Sequence, residues 1–153
     1  MEIQGLLLPR GFVSCIERGV LRRKQGSWQL RKPFDAYGNP LETELSTVYE
    51  SIEQIERESD RLSLDFPADI DDSPDPFCAI PGFIPYITDF RQILAFAASA
   101  DGAPFCFDYR DGMEPTIIWW ADAYWHRIAP SFSEFLGLFT IDKTPDIDLI
   151  QAG

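Results

Sequence analysis

A chain of 153 residues with 45% apolar side chains is long enough for one domain with a core of its own and too apolar for wholesale disorder. It carries 25 acidic against 13 basic side chains, a net charge of −12, which repels nucleic acid and anionic lipid and attracts basic proteins. No apolar run approaches the ~20 residues of a membrane span, and the opening Met-Glu-Ile-Gln-Gly-Leu-Leu-Leu-Pro lacks the basic segment and cleavage site of a signal peptide. Cys15, Cys78 and Cys106 are odd in number and widely spaced, which implies reduced thiols in a cytoplasm rather than a disulfide framework.

The charge is unevenly spread. Residues 1–32 hold seven basic and two acidic side chains, a net of +5, whereas residues 33–153 hold six basic and 23 acidic, a net of −17. In chain order, Leu8-Pro9 opens a short helix, with Pro9 at its first position, Phe12, Val13 and Ile16 on one face and Gly19 as its stop. A basic turn at 22–26 leads to a short strand around Trp28 and Leu30, and Tyr37-Gly38-Asn39-Pro40 signals a loop. Leu41, Leu45, Val48, Ile52 and Ile55 recur at helical spacing, which predicts a helix over 41–61 with Glu44, Glu50, Glu53, Glu56 and Glu58 on its outer surface.

Residues 60–75 read as an acidic loop stiffened by Pro67 and Pro74. Strands follow at 83–87, 93–98, 103–109, 116–120 and 124–128, with turns at Asp101-Gly102 and Asp111-Gly112. Alternation puts Phe105, Phe107 and Tyr109 on one face of their strand and Cys106 and Asp108 on the other. Ser131 caps a last helix, with Glu134 completing a capping box and Phe132, Phe135, Leu136 and Phe139 forming its apolar stripe. Residues 1–139 thus form one domain and 140–153 a tail. Helices first, an antiparallel sheet later and a closing helix predict an α+β fold with the sheet packed against helices.

Chemistry is sparse. Cys106, Asp108 and His126 are the one conceivable Cys–His–Asp set, but Cys106 stands between two Phe residues, where a thiol acts as a small core hydrophobe. The run from Asp69 to Asp75 matches a calcium loop in charge alone, because Pro74 and Ile80 stand where an EF-hand needs Gly and Glu. One His and three scattered Cys supply no zinc set. Phosphate-cradling glycine motifs are absent. The expectation is therefore no cofactor, no metal and no catalytic residue.

Four segments resemble the SMI1/KNR4 family of the SUKH superfamily. These are Leu8-Pro9 with its helix, Phe96-Ala97 leading to Ser99-Ala100-Asp101-Gly102, Phe105 to Arg110 followed by Pro115, Ile117 and Trp120, and Ile128-Ala129-Pro130-Ser131-Phe132 with Glu134-Phe135-Leu136. The likeness spans residues 8–139, and Trp120-Ala121-Asp122 is similar to the family's acidic turn. The resemblance implies an α+β fold without a common catalytic site. Bacterial members resemble immunity proteins that neutralise toxins, and fungal members resemble signalling scaffolds.

Charge and resemblance together predict a non-enzymatic immunity protein whose acidic surface covers the basic cleft of a toxin, such as a nuclease, by mimicking phosphate charge. The expected contacts are Asp65, Asp69, Asp71, Asp72 and Asp75 in the acidic loop, with Glu53 and Glu56 on the second helix. The alternatives are a regulatory scaffold with no toxin partner, and a small cytoplasmic hydrolase working through carboxylates or Cys106.

Overall fold

The computed structural model describes residues 2–21, 27–66, 83–84, 87, 89–121 and 124–140. Its centre is an antiparallel sheet whose long strands are β7 (Ile93–Ala98), β8 (Pro104–Asp108), β9 (Thr116–Ala121) and β10 (Tyr124–Ala129). They pair as consecutive hairpins, and the two-residue strands β5 (Thr47–Val48) and β6 (Phe83–Ile84) extend the sheet to the order β5-β7-β8-β9-β10-β6. Two small sheets flank it, β1 (Glu2–Ile3) with β2 (Leu6–Leu7), and β3 (Trp28–Gln29) with β4 (Glu44–Leu45). Among the described residues, four helices complete an α+β fold: α1 (Arg10–Arg18), α2 (Ile52–Asp60), α3 (Leu62–Asp65) and α4 (Phe132–Gly137).

Each helix end has a physical cause. Pro9 lies one position outside α1, where its carbonyl accepts from the Phe12 and Val13 N–H groups. Gly19 ends α1 at φ 68, and the Val20-to-Cys15 and Gly19-to-Ile16 backbone bonds form a Schellman cap. The Ser131 hydroxyl accepts from the Glu134 N–H at 3.2 Å and starts α4 where the capping signature puts it.

The predicted helix over 41–61 is corrected. Its first half folds as β4 and β5, and α2 begins only after Ser51, whose hydroxyl accepts from the Gln54 N–H at 3.1 Å. Thr43, Thr47, Val48 and Tyr49 are β-branched or aromatic and favour a pleated surface. The apolar spacing concealed this, and Ile52, one member of the supposed stripe, is exposed. Helix also runs past Asp60 into α3, so Asp65 closes a helical turn instead of lying in a loop.

The two sheet faces bury different residues. One carries a phenylalanine cluster: Phe96 stacks on Phe107 with ring centroids 4.1 Å apart, and Phe12 meets Phe96, Phe107 and Phe132 edge-on at 5.6, 5.2 and 5.5 Å. Edge-to-face rings at these separations add to the area term. α1 and α4 are thereby fixed to β7 and β8 through one set of rings. The other face buries Ile93, Ala95, Cys106, Ile118 and Trp125 under Leu62, Ile84 and Ile87. With both faces covered, every residue of β7 and β8 is buried, and the predicted alternation of Phe105 and Phe107 against Cys106 holds.

β5 covers only one end of the outer edge of β7, pairing with Ala97 and Ala98. α2 closes what remains, because the buried Ser59 hydroxyl accepts from the Ala95 N–H at 2.9 Å. A helix thus protects an edge that would otherwise offer free N–H groups to another strand. Ser59→Ala leaves that N–H buried without an acceptor and is expected to lower unfolding free energy by about 1–3 kcal/mol, measured by urea denaturation. An unchanged denaturation midpoint would show that the bond adds nothing.

Candidate binding surface

Strand register decides the fate of the Cys–His–Asp set. Cys106 pairs with Ile118, whereas Phe105 pairs with Trp119, which in turn pairs with His126. Directly paired residues share a face, so His126 lies with Phe105 on the face opposite Cys106. The His126 Nε2 donates to the Ala121 carbonyl oxygen at 3.0 Å and is committed to the β9–β10 turn. Burial pushes the Cys106 thiol well up from its ordinary value, and the nearby Asp108 carboxylate adds to the effect. Such a thiol is neither a ready nucleophile nor a ready metal ligand. Asp108 itself is buried and accepts two bonds at 2.9 Å from the Arg110 guanidinium.

Other carboxylates are also committed to the fold. Asp35 Oδ1 accepts from the Tyr37 and Asn39 N–H groups at 2.8 and 3.0 Å. Glu44 Oε2 accepts from the Ala100 N–H at 2.6 Å. Asp101 accepts from the Ser99 hydroxyl, which holds its carboxyl below the usual range. Asp89 pairs with Arg91 at 2.8 Å and is held at about 2 by hydrogen bonds from Arg91. Among the described residues no three His, Cys, Asp or Glu side chains form a metal-binding group.

The expected contact residues separate into two sets. Glu53 is exposed and Glu56 partly so, three positions apart on the side of α2 away from Ile55 and Ser59. Asp65 is exposed but paired with Arg61 at 3.1 Å, so its charge is partly offset. Asp69, Asp71, Asp72 and Asp75 lie outside the described residues, as do Cys78, Asp122 and the predicted tail beyond residue 140.

A feature that sequence reasoning missed lies beside them. A groove of about 1030 Å³ opens at the end of the sheet where the β7–β8 and β9–β10 turns emerge. It crosses the end of β9, so Trp119 of one sheet face and Trp120 of the other both border it. Phe34, Phe66, Asp35, Glu42, Asp101, His126 and Arg127 complete its chemistry. One wall is the compact loop 33–41, closed on itself by the Leu41-to-Pro33 bond at 3.0 Å and tied to β10 by the Ala36-to-Ile128 bond at 2.9 Å. Trp119 stacks on Phe105, and Trp120 leans edge-on against Trp125 at 5.4 Å and Phe66 at 5.7 Å. The aromatic walls are therefore braced from the core. Phe66 and Gly102 also border a smaller cleft, about 160 Å³, that reaches Glu58, Arg61 and Asp65, which makes the groove continuous with the flank of α2 and α3.

The burial of Cys106 gives a direct test. With Cys15 and Cys78 changed to Ala, Cys106 is expected to ignore an aromatic disulfide reagent at pH 8 in the native protein and to react fully in denaturant. Rapid native labelling would contradict its placement inside the sheet.

No match was found among curated proteins or solved structures. The SMI1 / KNR4 family (SUKH-1) profile matches residues 34–138, which takes in the groove apart from Pro33 and the whole central sheet and begins after α1. The match covers more than half of the sequence, so this chain belongs to the SMI1 / KNR4 family.

Proposed function

We propose that the protein is a non-enzymatic binding module, and in its most concrete form an immunity protein that neutralises a toxin by covering its active site. Family membership over residues 34–138 carries this reading. The charge gives it chemical direction, since residues 33–153 hold 23 acidic against six basic side chains. A surface of that sign complements the basic cleft of an enzyme that handles nucleic acid, and speeds encounter with it. Glu53 and Glu56 on α2 are proposed as contacts, together with Asp65, Asp69, Asp71, Asp72 and Asp75. The lack of an assembled Cys106–His126 pair fits a protein that acts by occlusion.

Co-expression with a toxin domain encoded beside its gene tests this reading. Growth arrest by the toxin domain is expected to be relieved by the full chain. Failure to relieve arrest by any neighbouring toxin domain would contradict the immunity role. Asp69→Asn, Asp71→Asn and Asp72→Asn combined with Glu53→Gln and Glu56→Gln are expected to slow association roughly tenfold at low salt and to flatten its salt dependence, measured by surface plasmon resonance. Unaltered kinetics would remove these residues from the interface.

A further inference from the structure

The groove combines two kinds of wall that suit one kind of guest. Trp119, Trp120, Phe34 and Phe66 supply aromatic faces, and Phe34 is 47% exposed. Asp35, Glu42 and Asp101 supply carboxylates around the same cavity. Arg127 is the one Arg or Lys among its lining residues, and its Nη2 is already engaged by Asp111 at 3.1 Å. Asp101 is kept ionised by the Ser99 hydroxyl, and Asp35 uses only Oδ1 to hold its own loop. Aromatic faces attract cations through the ring quadrupole, and tryptophan does so best. A guanidinium suits such a site better than an ammonium, because it is planar, stacks on rings and forks to carboxylates.

Two of the chain's own segments outside the described residues, 67–82 and 141–153, are poor occupants, whereas a third, 22–26, carries Arg22, Arg23 and Lys24 and is controlled for by repeating the titration below with Arg22→Gln, Arg23→Gln and Lys24→Gln combined. Residues 67–82 hold four Asp and no basic side chain, and residues 141–153 hold three Asp and one Lys. The acidic rim repels the two acidic segments and favours a cation.

We infer that this groove receives an arginine side chain displayed on the surface of the protein partner, with the guanidinium against the Trp119–Trp120 edge and within reach of Glu42 and Asp101. The inference rests on the protein-binding reading above and supplies that reading with a defined anchor point. It differs from the charge argument in what it demands, since general acidity attracts any cation to any acidic patch, whereas the groove selects a flat cation at one place. Arginine is among the residues that dominate interface energetics when it fills a pocket.

The test is a titration of the full chain with N-acetylarginine amide, followed by the indole N–H resonances of Trp119 and Trp120, which Trp119→Phe and Trp120→Phe identify. Both resonances are expected to shift with arginine amide and to remain still with N-acetylcitrulline amide, the neutral isostere. The shape-conserving pair Glu42→Gln with Asp101→Asn is expected to weaken binding roughly tenfold. No indole shift, or an equal response to citrulline, would overturn the proposal. Shifts confined to α2 around Glu53 and Glu56 would overturn the groove while leaving the acidic-surface reading intact. Binding that appears only when the chain is cut after Thr140 would assign the groove to the chain's own tail, and would equally overturn the proposal.

Discussion

The stack of Phe96 on Phe107, with Phe12 and Phe132 set edge-on against it, is the contact on which the architecture depends. It joins the N-terminal helix, two central strands and the closing helix through rings that each meet several others. The same alternation that sends these rings to one face sends Cys106 to the other, in one cluster with Trp125 and Leu62. A sheet so thoroughly covered on both faces buries β7 and β8 completely. The exposed features among the described residues lie at the margins of the sheet: the outer side of α2 and the turn end of β9.

Those margins are shaped by the core behind them. Trp119 is held by its stack on Phe105, and Trp120 by Trp125, so the groove's aromatic faces are extensions of buried packing. The loop 33–41 is braced by Asp35 and by its bond to Ile128. A groove built this way is preorganised, which would reduce the ordering cost of any association there. By contrast, the carboxylates of Asp108, Glu44 and Asp89 are consumed by internal bonds and contribute less to recognition than a count of acids implies.

Short apolar runs bounded by the Asp101-Gly102 and Asp111-Gly112 turns made the four long strands legible from sequence, and the Ser131 cap did the same for α4, because these signals are local and agree with the tertiary structure. The acidic face of α2 was legible in part, since Glu53 and Glu56 do lie on its outer side. The segment 41–50 was not, because its apolar spacing suits a helix while its Thr, Val and Tyr residues suit the sheet edge, and β7 was there to pair with them. The groove was invisible for a different reason. Its walls come from residues 33–42, 66, 101–103 and 119–128, which only folding brings together. The one local hint was the pair of adjacent tryptophans, Trp119 and Trp120, near the end of β9, where successive strand residues face opposite sides of the sheet.

The central claim is that the protein acts by occupying its partner and not by transforming it. The most direct measurement is residual activity of the proposed toxin partner against added equivalents of the chain, with Cys106→Ala run alongside. Occlusion predicts a straight decline to zero at one equivalent, the same for both proteins and independent of incubation time. Time-dependent silencing by substoichiometric amounts, abolished by Cys106→Ala, would contradict it.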